Sequence, residues 1–132
     1  MENKIVLLDT SVLIDNFRKK DKEKSLLVYL TDKFDKFCIS SVTEFEIYIG
    51  ASGIQLAFWE NVLLEMNVLP FDSKAAHVAV SILNQLKEKR KTIDKADLFI
   101  AAIAASNNLP IATLNRKHFD LIDNLELISN TD

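Results

Sequence analysis

Short apolar runs alternate with longer amphipathic stretches along this chain. Residues 5–9 form a continuous, β-branched run that is typical of a buried parallel strand. Similar runs lie at residues 37–40, 68–71, 110–113 and 125–128. The segments between them carry apolar residues at the three- and four-residue spacing of helices. This alternation predicts an α/β fold with a short parallel sheet of four or five strands and helices on both faces.

Helices are predicted between the strands, over residues 12–17, 24–34, from Ser41 onward, 54–66, 73–89 and 94–106. Two of them have predicted caps, because Ser41 and Ser73 are residue types that favour the N-terminus of a helix. The segment 54–66, which contains Phe58 and Trp59, is apolar around most of its circumference. It predicts either a helix buried on two sides or a surface for self-association or for a protein partner.

Three carboxylates adjoin apolar segments. Asp9 ends the first predicted strand, Glu44 follows the second closely, and Asp97 begins an alanine-rich helix. An isolated charge that leaves water costs several kcal/mol, so each of these acids needs a partner. Ligands in parallel α/β sheets bind beyond the carboxyl ends of the strands, where Asp9 and Thr113 also lie. The three acids therefore predict a shared site for a hard divalent cation such as Mg²⁺.

Each acid also has a purely structural alternative. Asp9 suits an N-cap position, and Glu44 suits the last position of a capping box that begins at Ser41. Taken alone, Glu44 is better explained as a cap than as a ligand. Asp97 suits the first turn of a helix, where the macrodipole favours acids. Asp97 shares a helical face with Ala101, which we expect to be buried, and this favours a cation as its partner.

The composition sets limits on the class of protein. The 132 residues, 48% hydrophobic, predict a single domain over residues 1–132. The net charge of −3 gives no bulk attraction to nucleic acid. Basic residues nevertheless cluster at residues 18–24 and 87–95, either as solvated helix ends or as phosphate-binding patches beside an acidic centre.

Several residue types are too rare for other kinds of site. Two glycines exclude a dinucleotide-binding fingerprint and a phosphate-cradling loop, and one cysteine with two histidines excludes a structural zinc site. Ser11 stands where an aspartyl-nucleophile phosphatase has a second Asp, which leaves that enzyme class as a weak alternative. The lone Cys38, the absence of an apolar run of about 20 residues and the absence of a secretory signal predict a cytoplasmic protein without a membrane span.

Four segments resemble, in the same order, the motifs of the PIN-domain ribonucleases. They are VLLDTSVLID at residues 6–15, SSVTEFE at 40–46, ADLFIAA at 96–102 and ATLNRKHF at 112–119. Their spacing and the chain length are most similar to the VapC-type toxins of toxin–antitoxin pairs. The resemblance implies a PIN-like three-layer sandwich and a Mg²⁺- or Mn²⁺-dependent endoribonuclease that leaves 3′-hydroxyl and 5′-phosphate ends.

The same resemblance implies a set of site residues. Three acids would hold the metal, and three polar residues would hold ligands, water or the substrate phosphate: Asp9, Glu44 and Asp97, then Ser11, Thr113 and Asn115. His118 stands where many members have a fourth acid, which leaves one metal or two open and makes His118 either a general acid or a residue that orients its loop.

The implied partners are an RNA substrate, a cognate antitoxin and a second copy of the chain in a homodimer. The main alternative is a non-catalytic PIN-like domain that binds RNA or a protein. His118 favours this alternative, and the three acids argue against it.

Overall fold

Five parallel strands form one sheet in the computed structural model, which describes residues 4–129. The strands are β1 Ile5–Leu8, β2 Lys36–Ser40, β3 Asn67–Leu69, β4 Ile111–Ala112 and β5 Leu127–Ile128. Their order across the sheet is β3-β2-β1-β4-β5, and each neighbouring pair is parallel. The predicted parallel α/β sheet is confirmed.

Within residues 4–129, six helices lie where the periodicity predicts them, and a short seventh helix after β4 was not predicted. They are α1 Thr10–Arg18, α2 Leu26–Thr31, α3 Ser41–Gly50, α4 Ile54–Leu64, α5 Ser73–Glu88, α6 Lys95–Ser106 and α7 Arg116–Phe119, with a 3₁₀ turn at Lys22–Lys24. The helix predicted over 24–34 is shorter than expected. It begins only after Ser25, whose side chain caps α2 by accepting a hydrogen bond from the Val28 N–H.

The central strand β1 is buried on both faces. Leu7 points into a core that α5 and α6 share with Phe119. Val6 and Leu8 point into a second core on the other face, which is formed with α1, α2 and α4 and contains Trp59. Because side chains alternate along a strand, one short run serves both cores. The predicted three layers of helix, sheet and helix are confirmed.

Two predicted caps are wrong by one residue. Ser40 caps α3, since its Oγ accepts a hydrogen bond from the Thr43 N–H at 2.9 Å. Ser41 accepts a hydrogen bond from the Phe71 N–H instead. The capping box that was predicted from Ser41 to Glu44 is therefore absent, because β2 ends at Ser40 and the first helical residue cannot also be the cap. In the same way, Asp72 rather than Ser73 caps α5.

Helices α3 and α4 present apolar side chains to solvent. On α3, Phe45 and Ile49 are 63% and 71% exposed, and on α4, Ile54 and Leu64 are 91% and 79% exposed. We call these four residues the α3–α4 surface. Helix α4 buries only the side of Trp59 and Leu63 in this chain, so the alternative of a helix buried on two sides is wrong. None of the helices within residues 4–129 is long and apolar enough to cross a membrane.

Candidate active site

A crevice of about 840 Å³ opens beyond the carboxyl ends of β1 and β4, between α1, α3, α6 and α7. Among its described lining residues, five are acidic and two carry a permanent positive charge: Asp9, Asp15, Glu46, Asp94 and Asp97, with Arg18 and Lys19. One of these cations is already paired, because Lys19 lies 3.6 Å from Asp15. The excess of carboxylates gives the crevice a negative potential that attracts cations.

A second cavity of about 880 Å³ is lined by Lys4 and Pro110 at the amino ends of β1 and β4 and extends along β5 to Ser129. Its charges are mixed, with Lys4, Lys33 and Arg116 beside Asp32 and Glu126. Amino ends of parallel strands are not where ligands of such sheets usually bind. The crevice at the carboxyl ends is therefore the candidate site.

Asp9 lies at the base of the crevice and is only 3% exposed. Its Oδ2 accepts hydrogen bonds from the hydroxyls of Ser11 at 2.7 Å and Thr113 at 2.8 Å. The Ser11 hydroxyl in turn accepts a hydrogen bond from the Leu114 N–H, and the Thr113 hydroxyl accepts one from the Asn115 N–H. A carboxylate oxygen has two lone pairs, so both acceptor sites of Oδ2 are used, and among the described residues Oδ1 is the oxygen left for a ligand. Asp9 precedes α1, but its side chain makes no capping hydrogen bond.

Asp97 faces the crevice from the first turn of α6. Its side chain is 18% exposed, and its Oδ2 lies 3.0 Å from Nδ1 of His118. Burial raises the pKa of the Asp97 carboxyl above its ordinary value, and the negative charge of Asp9 raises it further. His118 opposes this shift, while Asp94 adds to it. Asp9 and Asp97 thus repel each other electrostatically, and a cation bound to both would relieve that repulsion.

The third acid of the crevice is Glu46, and not Glu44. Glu46 lines the crevice, and its Oε1 accepts a hydrogen bond from the Thr10 hydroxyl at 2.7 Å. Glu44 is not among the described residues of the lining. The reason is how α3 is rotated about its axis. Thr43 and Ile47 form its buried face, and the two glutamates lie on opposite sides of that face. The prediction that Glu44 lies beside Asp9 and Asp97 is therefore wrong, and Glu46 takes that position.

A signal for Glu46 was present in the sequence. Glu46 lies three residues after Thr43, and residues at this spacing share one side of a helix. Thr43 and Glu46 are polar residues on one side of α3, which follows a buried strand, so a polar side of α3 facing the strand ends could have been expected. Asp94 was also missed, because it precedes α6 as an exposed N-cap residue.

The loop after β4 completes the crevice. Asn115 and His118 both line it, and the His118 N–H donates a hydrogen bond to the Asn115 carbonyl at 2.8 Å, so that a tight turn presents both side chains. Five of the six residues proposed from the sequence lie at this site, namely Asp9, Ser11, Asp97, Thr113 and Asn115. The sixth, Glu44, lies outside it.

The donors of the crevice suit a hard, hydrated cation. Within residues 4–129, no three Asp, Glu, His or Cys side chains are already grouped closely enough to enclose a metal ion. Mg²⁺ does not require such a cage, because it usually keeps several waters and binds through one or two carboxylates. Oδ1 of Asp9 and the carboxylate of Asp97 meet that requirement. A thiolate-preferring metal does not fit, since Cys38 is buried in β2.

Comparisons with known proteins agree with this geometry. The family model described as "PIN domain" matches residues 6–125. Ribonuclease VapC of Rickettsia bellii is 33% identical over 94% of this chain and 95% of its own length. The tRNA(fMet)-specific endonuclease VapC of Shigella flexneri is 32% identical over 90% of this chain and 92% of its own. A solved structure of VapBC-5, a member of the VapBC family of toxin-antitoxin systems from Mycobacterium tuberculosis, has a TM-score of 0.71 and 25% identity, covering 95% and 96% of the two chains.

Proposed function

The chain belongs to the PIN domain family, and from that premise we propose that it is a metal-dependent endoribonuclease and the toxin of a toxin–antitoxin pair, acting as one domain over residues 1–132. The observation that carries the proposal is the approach of Asp9 and Asp97, distant in sequence, in a crevice at the carboxyl ends of parallel strands. A hydrophobic or charge-balanced crevice would not support it.

Asp9 and Asp97 are the residues that would hold Mg²⁺ or Mn²⁺. When bound, such an ion lowers the pKa of water and stabilises the charge that develops on a phosphate during hydrolysis. Ser11 and Thr113 keep the Asp9 carboxylate in place through its Oδ2. Glu46 supplies a further oxygen acceptor that can orient water or accept its proton.

Arg18 supplies positive charge at the rim of the crevice. It is exposed at the end of α1 and lines the cavity, where a guanidinium can bind an RNA phosphate through two hydrogen bonds. The neighbouring Lys22 has another role, since its Nζ donates to the carbonyls of Asn16, Phe17 and Lys19 and so closes the end of α1. The basic segment 18–24 thus combines a lysine that closes the end of α1 with an arginine that we propose binds phosphate.

The α3–α4 surface is the site proposed for protein partners. Its four large apolar side chains lie on neighbouring helices, which suits an antitoxin segment or a second copy of the chain in a homodimer. Analytical ultracentrifugation of Phe45→Ser with Ile54→Ser, beside the unmodified chain, tests the dimer. A strict monomer of the unmodified chain at high concentration would remove it.

Cleavage of purified RNA tests the proposed activity. The reaction is run with Mn²⁺ or Mg²⁺, with EDTA, and with Asp97→Asn, and tRNA(fMet) is the first defined substrate because the Shigella relative is named for it. We expect cleavage that is lost with EDTA and in the variant. A folded chain that neither cleaves RNA nor binds Mn²⁺ would instead support the non-catalytic alternative, which His118 at the position of the fourth acid favours.

A further inference from the structure

A series of hydrogen-bonded hydroxyl groups extends from the buried Ser40 to Glu46. Ser40 and Thr43 are fully buried, and the Ser40 Oγ lies 3.2 Å from the Thr43 Oγ1. The Thr43 Oγ1 lies 2.9 Å from the Thr10 Oγ1, and the Thr10 Oγ1 lies 2.7 Å from the Glu46 Oε1. These contacts link the end of β2, the start of α1 and the crevice-facing flank of α3.

The Thr10 hydroxyl is the hydrogen-bond donor that reaches Glu46. A carboxylate only accepts hydrogen bonds, so Thr10 must donate its single hydroxyl proton to Glu46. The Thr43 Oγ1 is a second acceptor for that proton, at 2.9 Å from the Thr10 Oγ1, and it also accepts from the Ser40 hydroxyl. The Thr43 backbone N–H donates to the Ser40 Oγ at 2.9 Å and completes the series. Thr43, bonded to Ser40 through both its N–H and its hydroxyl oxygen, thus fixes the Thr10 hydroxyl beside Glu46, and hydrogen bonds linked in this way polarise one another.

We propose that Thr10 and Thr43 are positioning residues that hold Glu46 for the divalent cation and its waters. The inference rests on the proposed function. Among the described residues, hydrogen bonds engage only Oε1 of Glu46, so Oε2 is left as the acceptor for the crevice. A glutamate side chain has three rotatable bonds, and ordering it before the ligand arrives reduces the entropy that binding must overcome.

The position of Thr10 couples two of the acids. Thr10 follows Asp9 directly in the chain, and its hydroxyl bonds to Glu46 across to α3. A shift of α3 relative to β1 would therefore break the bond from Thr10 to Glu46. The series of hydrogen bonds ends on a carboxylate that lines the crevice, so a change in it reaches the site.

Removal of the Thr10 hydroxyl tests the proposal. Thr10→Val keeps the β-branched shape without the hydroxyl, Thr10→Ser keeps the hydroxyl, and Thr31→Val is the matched control, because the Thr31 hydroxyl bonds only within α2. Calorimetric titration with Mn²⁺ alone should show affinity about 10-fold weaker in Thr10→Val, the size of effect that outer-shell partners usually have. Thr10→Ser and Thr31→Val should bind like the unmodified chain, and kcat rather than KM should fall in Thr10→Val.

A double variant separates positioning from stability. If Thr10 acts through Glu46, Thr10→Val should have no further effect on Mn²⁺ affinity in a Glu46→Gln background. A Thr10→Val protein that melts lower but binds Mn²⁺ normally would overturn the proposal. Should Thr10→Val fail to fold, Thr10→Ala makes the same test without a second methyl group against Thr43.

The outcomes also distinguish this inference from the proposed function. Loss of Mn²⁺ binding in Asp97→Asn, with normal binding in Thr10→Val, would overturn the positioning role alone. An unmodified chain that neither binds Mn²⁺ nor cleaves RNA would overturn both.

Discussion

The two walls of the crevice hold their carboxylates in different ways. On one wall, which we call the hydroxyl wall, Asp9 and Glu46 accept hydrogen bonds from serine and threonine side chains that are mostly buried. On the other, the histidine wall, Asp97 is held by His118, whose side chain is 53% exposed. Neutral, buried hydroxyls order a carboxylate without depending on pH, whereas an exposed imidazole adds a charge only when it is protonated.

Because of this difference, the unfavourable electrostatic energy of the site falls mainly on Asp97, on the histidine wall. The donors of the hydroxyl wall stabilise charged oxygens, and the pKa that is raised by burial and by the opposing carboxylate is that of Asp97. We therefore expect the hydroxyl wall to be rigid and the histidine wall to respond most to added metal.

Asp97→Asn should abolish cleavage while the protein stays folded. The amide keeps the shape but removes the charge that holds the cation, so we expect a loss of more than about 100-fold, beyond the roughly 10- to 100-fold typical of outer-shell groups. RNA cleavage assays with circular dichroism of the same sample measure both properties. Asp120→Asn, an exposed acid at the end of α7, is the control. Normal cleavage by well-folded Asp97→Asn would disprove the shared site.

Glu46→Gln and Glu44→Gln should differ, although the two residues are only two positions apart. Glu46 lines the crevice, so its change should lower kcat/KM about 10- to 100-fold, whereas Glu44→Gln should leave it near the unmodified value. Steady-state kinetics on one RNA substrate, with Mn²⁺ titrations, measure the difference. The reverse result would return the third acid to Glu44 and refute the hydroxyl wall as described.

His118→Ala should weaken the histidine wall, and His118→Asn should largely preserve it. The asparagine amide nitrogen can take the place of Nδ1 beside Asp97, so we expect about a 10-fold loss of activity for alanine and a smaller one for asparagine. His77→Ala is the matched control, because His77 is exposed on α5. Equal losses in His118→Asn and His118→Ala would show that His118 does more than orient Asp97, for example as a general acid.

Without metal, Asp97→Asn should melt a few degrees higher than the unmodified chain. The pKa of Asp97 is raised above its ordinary value of 3.8, so the folded state binds more protons than the unfolded state as pH rises from that value through the raised pKa. The free energy of unfolding therefore falls across this window, and at neutral pH the ionised Asp97 destabilises the fold. Asparagine removes that penalty.

Thermal unfolding in EDTA at several pH values between about 4 and 7 measures this effect. The difference between the two proteins should vanish at the acidic end of the window. Added Mn²⁺ should raise the melting temperature of the unmodified chain and leave Asp97→Asn nearly unchanged. A lower melting temperature for Asp97→Asn in EDTA would contradict the repulsion between the walls.

Most residues of the candidate site could be predicted from the sequence. Asp9 and Asp97 could be predicted because each adjoins an apolar segment of clear type, and Ser11, Thr113 and Asn115 followed from the resemblance. The third acid was misassigned to Glu44 because the sequence alone did not show which face of α3 is buried. Residues two positions apart in a helix point about 200° apart, so the choice between Glu44 and Glu46 depends on which face is buried. That face is set by packing against β1 and α1.

The order of the elements followed from the sequence itself, since apolar periodicity is a local property that each segment carries alone, and the alternation of strands with helices favoured a parallel sheet. The tertiary structure decided which distant groups meet. Strand order places β4 beside β1, so the Thr113 hydroxyl reaches Asp9 across 104 positions of the chain. The bonds from Thr10 to Glu46 and from His118 to Asp97 have the same origin. Contacts of this range depend on how the layers pack, which no local pattern of residues encodes.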